Sequence, residues 1–184
     1  LLIKAMDYYK NEKGEADPDY AASLNKLAKV YESLGLYNNA EPLFVSAAEI
    51  RKKTNGAESL EYATTVNNLG LLYRNMGKPE KAETLLLSAL QIRKKIGGEN
   101  SGDYANSLNN VAVFYAAIGQ NEKAENYYKK AADIYKTING ASSPAYISCL
   151  TNIGELYSSM FRYQEAEKIL LEAEILDLKA NPER

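Results

Sequence analysis

The chain has 184 residues, 25% of them charged, and a formal net charge of −2. This balance leaves no broad basic surface to neutralise a phosphate backbone, so nucleic acid is not an expected partner. No apolar run is long enough to span a bilayer and the N-terminus lacks the order of a signal peptide, so we expect no membrane partner and a cytoplasmic location.

The composition also argues against catalysis. The chain contains no histidine and only one cysteine, Cys149, so the commonest general base and metal ligand is missing and no internal disulfide can form. Neither a glycine-rich phosphate loop nor a cysteine pair is present. We therefore predict a protein that is not an enzyme, with no catalytic residues, no metal site and no cofactor. Cys149 is expected to be a small, half-buried packing residue on a helix.

A 42-residue period runs through the whole chain. Eight columns of similar residues return at this spacing, and the clearest is tyrosine, at Tyr20, Tyr62, Tyr104 and Tyr146. A period of this length is typical of stacked supersecondary units that bury their apolar faces only against their neighbours. Within one period the apolar residues follow helical spacing. These patterns predict an all-α solenoid of antiparallel helix pairs.

The period divides the chain into five segments. Residues 1–14 align with the second half of a repeat, so we expect them to be the second helix of a preceding repeat whose first helix is missing. The full repeats are predicted at 17–58, 59–100, 101–142 and 143–184. Asn181-Pro182 departs from the pattern, because proline falls near the place of the usual glycine, and we expect the array to end or change type there.

Local signals predict where the helices of each repeat begin and end. Each first helix is expected to start after a residue whose side-chain oxygen can accept from the free amides of the first turn: Asp17, Ser59, Ser101 and Ser143. It should end at Gly35, Gly77 and Gly119, with Phe161 at that position in the fourth repeat. The second helix of a repeat should run to a basic end, whose lysines and arginines we interpret as complements of the helix dipole, and stop at Gly56, Gly98 or Gly140.

The packing pattern resembles a known family. Leu24-x-x-Leu27-Ala28-x-x-Tyr31, followed by Ala40, Phe44 and Ala47, is similar to the tetratricopeptide motif, with eight residues more than its usual period. The segments 104–112 and 121–128 resemble the 42-residue repeats of kinesin light chains, a variant also found in bacterial proteins that carry caspase-like CHAT domains or signalling ATPase modules. The resemblance implies a right-handed α-α superhelix with a concave groove that binds protein partners.

Helix geometry indicates which residues would line that groove. If Leu24, Leu27, Ala28 and Tyr31 face the core, the neighbouring stripe of each first helix faces the groove. The candidate peptide-binding residues are Asn25, Lys29, Asn67, Asn68, Leu71, Arg74, Asn75, Asn109, Asn110, Val113, Ala116, Asn152, Glu155 and Ser159. Asparagine amides can pair with the backbone of an extended peptide, and Leu71, Val113 and Ala116 would offer shallow apolar pockets. The asparagines at 68, 110 and 152 are equally compatible with a ladder that ties adjacent first helices together.

Two functional hypotheses follow from this pattern. The first is a protein-interaction scaffold that holds a peptide or partner helix in the concave groove. The second is a regulatory or assembly arm of a larger effector, which docks against a catalytic domain of its own chain. Both predict a protein or peptide partner, either on a separate molecule or in another domain of the same protein.

Overall fold

The computed structural model describes residues 2–181, apart from the side chains at positions 2, 3 and 5. These residues form nine α-helices and no strand. The helices are α1 Leu2–Lys13, α2 Pro18–Ser33, α3 Tyr37–Thr54, α4 Leu60–Asn75, α5 Pro79–Gly97, α6 Gly102–Ala117, α7 Asn121–Asn139, α8 Pro144–Ser159 and α9 Tyr163–Ala180. The expected departure at Pro182 lies outside the described residues.

The first helix of each repeat begins at the expected cap. The Asp17 carboxylate accepts from the amides of Asp19 and Tyr20, and each capping serine hydroxyl accepts from the amide three residues on. Pro18 and Pro144 occupy the first helical position, where a missing N–H removes no hydrogen bond. The predicted starts of these four helices are therefore confirmed.

Residues in the left-handed backbone conformation end the helices at the predicted positions. Gly35, Gly77 and Gly119 have φ between 68° and 74°, and the glycines that end the second helices also have positive φ. Phe161 takes the same place after α8 with φ 60°, the one non-glycine residue of positive φ in the described chain. The amide of Arg162 donates to the carbonyl of Tyr157 over 2.9 Å, as the amide of Leu36 does to Tyr31 over 2.8 Å, so the turn is the same with or without glycine.

Small residues let the two helices of a pair approach closely. Ala40 and Ala47 are fully buried along α3, on either side of the buried Phe44. A Cβ added at Gly70 would come within 2.9 Å of Leu86 Cγ, and one added at Gly154 within 2.5 Å of Leu170 Cγ. Backbone without a side chain therefore packs directly against a leucine in both pairs.

The chain divides into two compact units, an N-terminal unit Leu1–Ile96 and a C-terminal unit Gly97–Arg184. Within each unit a tyrosine of one repeat bonds to a glutamate of the repeat before it. In the C-terminal unit the Tyr157 hydroxyl donates to Glu125 over 2.9 Å, and Arg162 contacts the same carboxylate over 2.7 Å while stacking on the Tyr157 ring. Burial opposes ionisation of Glu125, but hydrogen bonds from Lys129, Tyr157 and Arg162 outweigh it and hold its pKa at about 2.

The N-terminal unit repeats this connection with other residues. Glu41 bonds to the Tyr73 hydroxyl and, over 3.3 Å, to Lys78, whose ammonium lies over the Tyr73 ring. Burial and the Glu41 carboxylate raise the pKa of Tyr73 to about 12. Tyr73 is only 7% exposed. This tyrosine therefore packs its ring between repeats while its hydroxyl bonds to a charged partner.

Two local predictions are refined by the packing. Cys149 is 1% exposed, so the expectation of a half-buried residue was wrong: α8 is enclosed on that side, and burial raises the pKa of the thiol to about 12. Arg51, at the basic end of α3, also bonds to the next helix, since its guanidinium donates to the Glu61 carbonyl and the Thr65 hydroxyl. The basic helix ends therefore include connections between repeats.

Candidate protein-binding faces

The predicted groove residues fall on two faces, one in each unit. The N-terminal face lies on α2 and α4 and comprises Asn25, Lys29, Asn67, Asn68, Leu71, Arg74 and Asn75. The C-terminal face lies on α6 and α8 and comprises Asn109, Asn110, Val113, Ala116, Asn152, Glu155 and Ser159. Helical spacing places each set on one side of its helices, because residues three, four and seven apart share a face.

An amide bridge joins the two helices of each face. On the N-terminal face the Asn68 amide donates to Asn25 Oδ1 over 3.3 Å. On the C-terminal face the Asn152 amide donates to Asn109 Oδ1 over 3.1 Å. In both cases the acceptor belongs to one repeat and the donor to the next. These four asparagines therefore tie neighbouring first helices together, which is the ladder that the sequence left as an alternative to ligand contact.

Burial separates the asparagines that can reach a ligand from those that cannot. Asn25 is 8% exposed and Asn67 4%, so their side chains belong mainly to the packed interior. Asn68, Asn110 and Asn152 are half-buried. A half-buried amide that donates one bond to its neighbour still has a second N–H and a carbonyl oxygen to offer. Structural and ligand-binding roles are therefore compatible at Asn68 and Asn152.

A charged network marks the N-terminal face. Arg74 donates from Nε and Nη2 to Asn75 Oδ1 over 3.2 and 2.9 Å, and the Asn75 amide donates to Glu32 over 3.0 Å. Burial raises the pKa of Glu32, against the opposing effect of Arg74 and Lys29. The Leu71 side chain is half-buried on the same helix, and Lys29 is exposed. This face therefore combines a shallow apolar surface with polar groups that already hold one another in place.

The C-terminal face is more apolar. Val113 and Ala116 are half-buried on α6, and the exposed Glu155 on α8 is the only charge among the seven residues of this face. The exposed Ser159 donates its hydroxyl to the Leu156 carbonyl over 2.7 Å, so it serves the end of its own helix. Its hydroxyl oxygen remains able to accept.

Glu32 also lies on the N-terminal face, in the same stripe of α2 as Asn25 and Lys29. Glu32 lies one position after Tyr31 and accepts from Asn75, forty-three positions later in the chain. Asn68 follows Asn25 by the same 43 residues. Side chains one residue more than a full period apart therefore form hydrogen bonds twice on this face.

Neither a metal cluster nor a membrane span occurs in the described part of the chain. Between residues 2 and 181 no group of three or more histidine, cysteine, aspartate or glutamate side chains is arranged to hold a metal ion. None of the helices that the structure describes has the length and apolar character needed to cross a membrane.

Comparison with known proteins identifies the family. The tetratricopeptide repeat model matches residues 19–95, 61–137 and 103–174, which together span most of the chain. The chain therefore belongs to the tetratricopeptide repeat family. A comparison with curated protein sequences found no match.

Solved structures share the fold of this chain. BtubC (BKLC) from P. vanneervenii is 26% identical with a TM-score of 0.80, over 91% of this chain and 67% of that one. A putative kinesin light chain from P. anserina with nearly identical repeats is 20% identical with a TM-score of 0.77, and a variant of that protein has a TM-score of 0.81 at the same identity. In each of these two comparisons the aligned part covers 98% of this chain and 85% of the P. anserina chain. The repeats share the fold of the kinesin light chain-like tetratricopeptide repeats, and the predicted all-α superhelical fold class is confirmed.

The family defines a general role. Tetratricopeptide repeats are protein–protein interaction scaffolds, and their fold is of a non-catalytic type. The finer question is which surface of this chain holds a partner.

Proposed function

We propose that this chain binds a peptide or a partner helix of another protein on its first-helix faces, which correspond to the concave groove of tetratricopeptide arrays. The observation that carries the proposal is the combination found on each face: half-buried apolar side chains beside amides that are already held in place. Leu71 has this setting beside Asn68, and Val113 and Ala116 have it beside Asn152.

Pre-organised amides favour binding of an extended backbone. Ordering a free asparagine side chain on binding costs conformational entropy, roughly 0.5–1.5 kcal/mol for each immobilised side chain. Asn68 and Asn152 have already lost much of that freedom through their bonds to Asn25 and Asn109. Their remaining donor and acceptor can pair with main-chain groups of a peptide whatever its side chains are.

The two faces favour different side chains on the bound segment. Lys29 and Arg74 surround Glu32 on the N-terminal face, so an acidic or amide side chain of the partner would be accepted there. Val113 and Ala116 offer only apolar contact on the C-terminal face, where Glu155 disfavours a second carboxylate. Specificity would therefore come from these unequal positions, and the shared asparagines would supply backbone contacts.

The test is selection of a binding peptide followed by matched variants. A random peptide library is panned on the wild-type chain, and the affinity of the selected peptides is measured by fluorescence anisotropy. Leu71→Glu and Val113→Glu are expected to weaken binding by at least about tenfold, since each places a carboxylate in an apolar contact. Gln91→Glu, at an exposed position of the second helix α5, is the control and should leave affinity unchanged.

The proposal fails if peptides bind Leu71→Glu and Val113→Glu as tightly as the wild type, with circular dichroism confirming equal helicity. The second hypothesis, an arm that docks on a domain of its own protein, uses the same variants. There the readout is loss of contact between the array and that domain in the full-length protein.

A further inference from the structure

The outer side of α9 carries an apolar stripe that the earlier repeats lack. Leu171, Ile175 and Leu178 are 53, 44 and 52% exposed and lie at i, i+4 and i+7, so they form one line along the helix. Ala166 and Ala173, which are buried, lie on the opposite side of α9. The stripe therefore points away from the rest of its helix pair.

The earlier repeats place polar residues in the columns of Ile175 and Leu178. One period before these residues lie Asp133 and Lys136, and three periods before Ile175 lies Glu49, all exposed. The column of Leu171 holds Lys129 one period before, and the half-buried Leu87 and Val45 in the two earlier repeats. An exposed apolar stripe through all three columns is therefore particular to α9.

The stripe is also offset from the residues of the second helix that pack against a following repeat. In the N-terminal unit α3 presents Ala48 and Arg51 to α4, where Ala48 packs with Val66 and Arg51 bonds to Thr65. The equivalent positions of α9 are Glu174 and Asp177, which are polar. In the C-terminal unit Lys136, one period before Leu178, lies over the Tyr146 ring of the next repeat, 5.5 Å from its centroid. A further repeat stacked in the usual register would thus meet Glu174, Asp177 and the Leu178 end of the stripe, and would leave Leu171 and Ile175 to one side.

The charges beside the stripe are self-complementary about its centre. Glu172 lies 3.5 residues before the midpoint between Ile175 and Leu176, and Lys179 lies 3.5 residues after it. Both project on the same flank of the stripe, because they are seven residues apart. If two α9 helices pack antiparallel about a two-fold axis at this midpoint, Glu172 of each lies level with Lys179 of the other, which gives two opposite-charge pairs.

The same axis interleaves the apolar side chains. Measured along the helix from the midpoint, Leu171, Ile175 and Leu178 lie at −4.5, −0.5 and +2.5 residues, and those of the second copy lie at the opposite values. The six side chains then alternate between the two helices at spacings of one or two residues, or about 1.5–3 Å. No two large side chains are forced to the same height.

We propose that α9 is the homodimerisation surface of this protein, in which two copies pack antiparallel through Leu171, Ile175 and Leu178 with Glu172 facing Lys179 of the second copy. Six apolar side chains make a small interface, whose buried surface area lies at or below the low end of the range for stable complexes. The expected dissociation constant is accordingly on the order of 10–100 µM.

Sedimentation velocity of the 184-residue chain at low ionic strength tests this directly, over concentrations on the order of 10 µM to 1 mM. The wild type should shift from monomer to dimer across this range. Ile175→Glu should remain monomeric, and Asp133→Asn, at the equivalent exposed position of α7, should dimerise like the wild type. A wild type that stays monomeric throughout, or an Ile175→Glu variant that dimerises normally, would overturn the proposal.

Charge reversal tests the antiparallel arrangement itself. Glu172→Lys alone and Lys179→Glu alone should each weaken dimerisation by about five- to tenfold, because both pairs become repulsive. The double variant should recover the wild-type affinity. The two single variants mixed together should associate more tightly than either alone, because every facing pair then carries opposite charges. If neither the double variant nor the mixture recovers association, this dimer is excluded, and the stripe is left for a different partner.

Discussion

Phe161 occupies a backbone conformation that suits glycine, and replacing it with glycine should stabilise the protein. Its φ of 60° lies close to the 68–74° of Gly35, Gly77 and Gly119 at the same point of the earlier repeats. An L-residue with a Cβ pays roughly 1–2 kcal/mol in this left-handed region. Replacing Phe161 with glycine removes this strain. Glycine also gives the unfolded chain more conformational freedom, which offsets about 0.4–1 kcal/mol of the stabilisation. The net expectation for Phe161→Gly is a gain of about 0.5–1 kcal/mol in the free energy of unfolding.

The ring of Phe161 contributes little against this gain. It is 78% exposed and packs in a T-shaped arrangement with Tyr163, itself 62% exposed, with ring centroids 6.2 Å apart. Phe161→Ala removes the ring and keeps the Cβ in the left-handed conformation, so it is the matched control and should be no more stable than the wild type. The reverse change, Gly119→Ala at φ 74°, meets open space and should cost about 1 kcal/mol from backbone strain alone.

Urea and thermal denaturation followed by far-UV circular dichroism measure these differences. A gain of this size corresponds to a rise in Tm of about 1–4 °C for a protein of this length. The order of stability should be Phe161→Gly above the wild type, with Phe161→Ala equal to the wild type or below it. If Phe161→Gly is no more stable than Phe161→Ala, backbone strain at this turn does not explain the energetics and the reasoning is refuted.

Three further predictions concern packing, charge and the thiol. In Gly154→Ala the new Cβ would lie 2.5 Å from Leu170 Cγ, so the variant should lose about 1 kcal/mol in the free energy of unfolding despite the better helix propensity of alanine. Adding Leu170→Ala should recover part of that loss, as a double-mutant cycle measured by denaturation would show. Glu125→Gln should cost about 1–2 kcal/mol at neutral pH. Because the pKa of Glu125 is lowered from 4.5 to about 2, the stability that its carboxylate contributes is present above pH 4.5 and is lost as the pH falls towards 2. The plots of unfolding free energy against pH for the wild type and Glu125→Gln should therefore converge near pH 2. A difference between them that stays constant with pH contradicts this assignment. Cys149, buried with a pKa of about 12, should react with a thiol reagent at mildly alkaline pH only as fast as the protein opens, and labelling at the rate of a free thiol would contradict the burial.

The sequence alone determined the repeat and the limits of its helices. The 42-residue period, the capping residues such as Ser59 and the glycine stops such as Gly77 are local features, so each can be recognised without knowing what lies beside it. The stripe of candidate residues also follows from helical spacing, because a face is defined by the chain's own geometry. The family resemblance rests on the same local columns.

Only the tertiary structure decided what those residues do with one another. Asn68 and Asn25 look alike in the sequence, but one is half-buried and the other enclosed, because burial depends on how far apart neighbouring helices pack. The depth of Cys149 was misjudged for the same reason. The connection of Glu125 to Tyr157 joins residues 32 positions apart, and such a distance in sequence carries no local signal. Periodicity specifies which side of a helix a residue occupies, and the contact between helices specifies whether that side meets solvent, a neighbour or a partner.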